Sequence, residues 1–422
     1  MSVELTTLPN GLRVVTDRMD TVETASVGVW VGVGARHETV EVNGVSHLLE
    51  HMAFKGTRRR SARAIAEEIE GVGGHLNAYT SRENTAYYAR VLSGDVPLAV
   101  DILADILQHS AFEPDELERE RTVIVQEIGQ VEDTPDDLIF DRFQEVAYPG
   151  QPLGRPVLGS EDRVRNMSRA AIAGYMRDNY TAPVMVLAAA GKVDHRDLVE
   201  MGERLFGELP KRNGPAFDPA RYQGGEQLEN RPLEQAHLVL GFDGVSYDDP
   251  DYYALMVATN VLGGGMSSRL FQEIRERRGL VYSIYAYSGS YLDGGLFGVY
   301  AGTGEDNLEE LVPAVCDEIV KLGDGASDAE IARTRAQIKS GILMGLESTS
   351  ARVERLGQHT LTYGAPLPIE QVVAKIEAVD SAAIGRAIRR VIASAPTVSA
   401  LGPVAALERM GGIAQRFRQN VQ

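Results

Sequence analysis

The chain has 422 residues, 44% apolar and 24% charged, with 42 Lys and Arg against 60 Asp and Glu and a formal net charge of −18. These are globular values for two or three ordinary domains, so fibrous and disordered classes are excluded. An acid excess of this size repels phosphates and anionic lipid heads, so neither nucleic acid nor membrane is an expected partner.

The excess is concentrated: residues 101–150 hold 14 acidic and 3 basic side chains. A solvated helix face is the plain explanation for such a stretch.

In chain order, Asn10-Gly11 between ELTTL and LRVVT predicts a hairpin with a two-residue turn. SVGVWVGVG (26–34) reads as a buried strand. Residues 44–54 carry Val45, Leu48, Leu49 and Met52 at helical spacing, and a second helix follows Ser61 and stops at Gly73-Gly74. HLNAYTSRENTAYYARVL reads as strand, turn, strand. Two helices come next, the second opened by Pro114 and running past Gln130, and then a strand over 184–193.

Residues 211–232 are rich in Gly, Pro and charge without sustained periodicity, which reads as a linker. Beyond it the order of elements repeats: strand, helix, a helix through SSRLFQEIRERRG, paired strands, a helix holding Cys316, and a helical hairpin. The repeat predicts an α+β chain made of two copies of one fold, each a mostly antiparallel sheet with helices on one face. The expected division is 1–212, a linker at 213–232, and 233–422.

The lone Cys316 excludes an internal disulfide and a Cys-based zinc knuckle and reads as core. No signal-peptide or transit-peptide pattern opens the sequence, and no apolar run is long enough to span a bilayer, so a cytoplasmic protein is expected.

The chemistry is carried by His47-Leu48-Leu49-Glu50-His51. On a helix, positions 47 and 51 stack on one face with 50 beside them. Two imidazoles so placed suit one metal ion, and the carboxylate reaches a water on its open position. Hydrogen-bonded core histidines are the plainer alternative. A catalytic zinc needs a third protein ligand, for which the acidic helix offers Glu113, Glu116, Glu118, Glu120 and Glu127. Glu127 sits in an apolar stretch and Glu120 lies two turns earlier on the same face; spacing does not choose between them.

VSHLLEHMAFKGT, LNAYTSRENTAYYA, LERERTVIVQEI and LGGGMSSRLFQEIRERRGLVYS together resemble the pitrilysin/insulinase-type inverzincin (HxxEH) zinc metallopeptidases. The nearest branch is the catalytic subunit of mitochondrial processing peptidase and its bacterial homologues. The resemblance spans nearly the whole chain. It implies a zinc-dependent metalloendopeptidase, with one Zn²⁺ per chain on His47, His51 and Glu127, the last 76 residues after the second histidine. It implies Glu50 as general base, Glu120 as an accessory acidic residue, and Arg275 and Tyr282 near the scissile carbonyl.

The resemblance further implies a peptide substrate bound as an added β-strand at Asn77, Ala78 and Tyr79. Asp137 and Asp141 would accept a basic residue, with Arg expected near the cut; the first is Asp where the family often has Glu. Phe54 would line the pocket beyond the cut. Two similar domains facing each other as a clam-like chamber, and a homodimer, are the implied assembly. The alternatives are a non-catalytic structural or assembly subunit of the same fold, and a peptidase that needs a partner subunit. Both sets of site residues stand in one chain, which favours a self-sufficient enzyme.

Overall fold

A strand in which every residue is apolar or small needs cover on both faces. In the computed structural model, which describes residues 2–409, the strands are β1 (Ser2–Thr7), β2 (Arg13–Arg18), β3 (Thr24–Val31), β4 (His75–Thr80), β5 (Thr85–Leu92) and β6 (Met185–Gly191), then β7 (Gly225–Asn230), β8 (Ala236–Asp243), β9 (Ser283–Ser290), β10 (Gly295–Thr303) and β11 (Thr397–Gly402). The first helices are α1 (Val45–Ala53), α2 (Ala62–Gly71), α3 (Val96–His109), α4 (Pro114–Glu132), α5 (Pro135–Ala147), α6 (Glu161–Asn166), α7 (Arg169–Asn179) and α8 (His195–Phe206). They are followed by α9 (Tyr252–Gly263), α10 (Leu308–Leu322), α11 (Asp328–Gly345), α12 (Thr349–Tyr363), α13 (Ile369–Glu377) and α14 (Ser381–Ile392). No helix among the described residues is long and apolar enough to cross a membrane.

Among the described residues, 2–129, Arg155–Phe217 and Ile342–Leu367 form one unit, and Gln130–Gly154, Asp218–Gly341 and 368–409 form the other. This differs from the expected division at 213–232 in two segments. Helix α5 belongs with the second sheet and α12 with the first.

In the first unit the sheet order is β1-β2-β6-β3-β5-β4. On one face Val14, Val27, Val29, Leu187 and Ala189 join the main core with residues of α1, α3 and α7. On the other face Val15, Trp30, Val186, Ala188 and Ala190 meet Val353 and Leu356 of α12. The unbroken apolar runs of β3 and β6 follow from this two-sided burial. Helix α12 comes within van der Waals reach of the sheet through a glycine: a Cβ on Gly357 would fall 2.1 Å from the Trp30 indole. Gly357→Ala should therefore destabilise the fold by about 1–3 kcal/mol through overpacking. Urea unfolding checks this, and an unchanged midpoint would contradict the packing described.

The second unit repeats the topology, with order β7-β11-β8-β10-β9. Dropping β1, each strand has a counterpart in the first sheet, and the parallel pair occupies the same place in both (β2 with β6, β7 with β11). The equivalence supports duplication more firmly than residue identity does. Here α5 covers one face, placing Leu138, Ile139 and Phe143 against Val239, Leu296 and Leu401.

Three local expectations are corrected. The first hairpin turns over Pro9, Asn10 and Gly11, with Gly11 N–H donating to Leu8 O and Leu8 N–H to Leu12 O, both at 2.8 Å. Gly11 takes φ +99°, so this is a three-residue loop with a glycine bulge, favoured by Pro9 at the second turn position. The linker 213–232 contains β7, an edge strand exposed enough on both faces to show no alternation. Its opening is also anchored, with Arg36 lying 4.0 Å from the centre of the Phe217 ring. The helix expected through SSRLFQEIRERRG is π-helical over Phe271–Arg277.

Candidate metal centre

Helix α1 buries Val45, Leu48, Leu49, Met52 and Ala53 in the first core. That choice leaves 47, 50, 51 and 54 as a half-buried stripe on the opposite side, spaced i, i+3, i+4 and i+7. The helix start is held by Glu38, only 3% exposed. Its carboxylate accepts the Gly44 and Ser46 N–H groups at 2.8 Å each and Asn43 Nδ2 at 2.9 Å. Burial pushes the Glu38 carboxyl up, and these hydrogen bonds oppose the shift. Sequence spacing offers no signal for a cap this far upstream.

Helix α4 presents Leu117, Glu120, Ile124 and Glu127 along one stripe, the first three buried and Glu127 half-buried. The structure brings one donor atom from each of His47, His51 and Glu127 within 4.8 Å of one another. Glu127 Oε2 lies 3.7 Å from His47 Nε2 and 3.5 Å from His51 Nε2. These gaps are long for hydrogen bonds. They are close to the separation of about 3.3–3.5 Å between donors that each bind a tetrahedral zinc at about 2.0–2.2 Å.

The electrostatics agree with a ligand set. Burial, with a contribution from His51, lowers His47 to about 3, so its imidazole is neutral and its lone pair free. His51 is burdened by desolvation but is raised on balance by Glu120, Glu127 and Glu50, so a cation is wanted there. The donors and their spacing fit zinc.

Glu120 is not beside the other carboxylates. It stands behind His51, its Oε2 2.9 Å from His51 Nδ1 and its Oε1 2.8 Å from Lys55 Nζ. A carboxylate on the far nitrogen orients a ligating imidazole and raises its basicity. Glu120 thus reaches the donor cluster through His51 Nδ1, the position from which a carboxylate supports a ligating imidazole. Lys55 was missed from the sequence, although it lies one turn beyond His51. Glu120→Gln is expected to weaken zinc binding by about 10–100-fold, as read by competition with a chromogenic chelator. Unchanged affinity would remove Glu120 from the ligand support.

Glu50 is half-buried, and Thr80 Oγ1 donates to its Oε2 at 2.5 Å. Burial raises its carboxyl, the Thr80 bond and His51 lower it, Glu127 raises it, and the net direction is upward. A carboxylate shifted toward neutrality is suited to taking and returning a proton.

Asn77, Ala78 and Tyr79 lie on β4, the edge strand of the first sheet, which among the described residues pairs only with β5. The outward Ala78 N–H is closed locally by Asn77 Oδ1 at 2.9 Å. Tyr79 Oη donates to Glu354 Oε1 at 2.6 Å and accepts from Gln358 Nε2 at 2.8 Å. Phe54 packs against the core, its ring centre 6.2 Å from that of Tyr87.

The remaining expected residues belong to the second unit. The Arg275 guanidinium lies 5.4 Å from the Tyr282 ring centre and 4.6 Å from that of Phe271, so the seven-residue spacing does bring Arg275 and Tyr282 together. Tyr282 is 76% exposed. Arg275 sits in the π-helical segment, a feature frequent at functional sites. Asp137 and Asp141 lie one turn apart on α5, the first exposed and the second half-buried.

Comparison with known proteins converges on one family. Residues 13–161 match the insulinase family (peptidase family M16), and residues 166–338 match the peptidase M16 inactive domain. A probable mitochondrial-processing peptidase subunit beta of Arabidopsis thaliana is 42% identical over 416 residues, 95% of this chain and 78% of that protein. The chain belongs to peptidase family M16.

An uncharacterized zinc protease of Streptomyces coelicolor is 40% identical to this M16 chain over 413 residues, covering 96% of it and 90% of the relative. Among solved structures, a peptidase M16 inactive domain from Pseudomonas fluorescens superposes with a TM-score of 0.89 at 20% identity, over 96% of this chain and 99% of that one. A protease from Helicobacter pylori superposes at 0.87 and 22%, over 95% and 99%. At such identities these two establish the M16 fold alone.

Proposed function

We propose that this M16 chain is a zinc-dependent endopeptidase acting on peptides or unfolded segments. The observation that carries the reading is the convergence of His47, His51 and Glu127 beside a half-buried Glu50. Bacterial relatives named as zinc proteases support zinc as the metal. Bound by those three side chains, zinc would supply a water acidic enough to attack at neutral pH and would polarise the scissile carbonyl.

The other steps belong to the protein. Glu50 takes the proton of the attacking water and later delivers it to the departing amine. Thr80 holds one carboxylate oxygen of Glu50, leaving the other for that transfer. Arg275 and Tyr282 orient the peptide and stabilise the developing oxyanion. The peptide adds as a strand to the free edge of β4, where main-chain hydrogen bonds give affinity without demanding one sequence. Asp137 and Asp141, spaced to share a guanidinium, give a preference for Arg near the cut.

The test is a peptide library cleaved by the purified protein with and without a chelator, the products mapped by mass spectrometry. Internal cleavage that disappears with chelator and returns with zinc is expected, with Arg enriched near the cut. Chelator-insensitive cleavage would overturn the zinc assignment. No cleavage by zinc-loaded protein would favour the non-catalytic subunit.

A further inference from the structure

An edge that receives a peptide main chain must be held in place, because a one-residue slip of register turns every side chain to the opposite face. On its inner face β4 packs Leu76 and Ala78 on the core and directs Thr80 to Glu50. Its outer face is held by α12. Tyr79 Oη binds Glu354 Oε1 at 2.6 Å and Gln358 Nε2 at 2.8 Å. Gln358 also exchanges two bonds with the Asn84 side chain, at 3.2 and 3.3 Å. Tyr79 and Asn84 flank the turn between β4 and β5, so two side chains one helical turn apart grip the tip of this hairpin on both sides.

Helix α12 is a firm support. Arg352 Nη1 binds Asp17 Oδ2 at 2.8 Å, with Asp17 only 1% exposed, and Thr349 meets Ser26 at 2.9 Å. Glu354 and Gln358 take no part in the chemistry proposed above.

We propose that Glu354 and Gln358 are positioning residues that set the place and register of β4 for peptide docking. The inference rests on the reading of β4 as the peptide-binding edge. If the two residues served only to attach α12, their loss would lower stability and leave substrate affinity alone.

The experiment measures kcat and KM on one cleaved peptide, with zinc content and Tm, for the full chain and its variants. Glu354→Ala and Tyr79→Phe should each raise KM about tenfold, with zinc retained and kcat within about twofold. Because both single variants break the Tyr79–Glu354 bond, the double variant should raise KM by less than the product of the single effects. Glu354→Gln keeps an acceptor for the phenol and should stay within about twofold of the parent in KM.

In parallel, the peptide is N-methylated at one backbone amide at a time. If methylation at some position weakens binding while Glu354→Ala and Tyr79→Phe leave KM unchanged, the positioning proposal is overturned and strand addition stands. If no methylated position weakens binding, strand addition fails and this proposal with it. A fall in kcat or Tm without a change in KM also overturns it.

Discussion

Replacing Glu50 by Gln is expected to leave zinc content at the parental level and to lower kcat by about 10²–10⁴-fold, the range typical of a lost general acid–base group. Gln preserves the size of the side chain and still accepts the Thr80 hydroxyl, but it has no carboxylate to take a proton. Glu50 lies between the two histidines along α1 yet is absent from the cluster of converging donors, so the metal should not notice the change. Elemental analysis together with steady-state cleavage reads both halves of the prediction. A variant that cleaves within tenfold of the parent would remove Glu50 as the base, and one that loses zinc would make it a ligand.

The second large effect belongs to the metal. His51→Ala removes one of three protein donors and also strands Glu120, which would then face Lys55 without its histidine. Loss of a first ligand exceeds the roughly 10–100-fold cost of disturbing a supporting carboxylate. Purified His51→Ala is therefore expected to carry little zinc and to show no cleavage at micromolar zinc. Glu50→Gln and His51→Ala are both inactive but separable, since only the second loses its metal. Zinc retained at parental level in His51→Ala would place the metal elsewhere.

The His-His pair and its neighbouring Glu were legible because they lie within five residues on one helix, where periodicity alone decides which side chains share a face. The duplication was legible as an order of elements, and the matching strand orders of the two sheets bear it out. The third donor was not legible from spacing. Glu120 and Glu127 lie on the same stripe of α4, and the residues taken alone left both open. Packing separates them, with Glu120 drawn to His51 Nδ1 and Lys55, and Glu127 left opposite the Nε2 atoms.

The acid-rich stretch divides in the same way. Glu127 and Glu120 lie against His47 and His51, while Asp101 and Asp105 are taken by Arg60 at 2.6 and 2.8 Å. Asp105, 1% exposed, also accepts from Thr57. Neither a solvated face nor a peptide-binding role describes these two. They are internal counter-charges beneath the loop that follows α1.

By itself, then, the sequence determined what short-range geometry controls: the candidate ligand pair and candidate base on one stripe of α1, the edge hairpin of β4 and β5, and the repeat, while the family was read from a resemblance spanning nearly the whole chain. Tertiary structure supplied what spacing could not: which glutamate faces the histidines, that α5 and α12 each cover the sheet of the other half, and that Tyr79 is held by Glu354 across 275 residues of sequence. The physical reason is common to all three. A polar atom or an apolar face is matched by whatever partner folding brings within reach, and contacts between distant segments leave no periodicity along the chain that joins them.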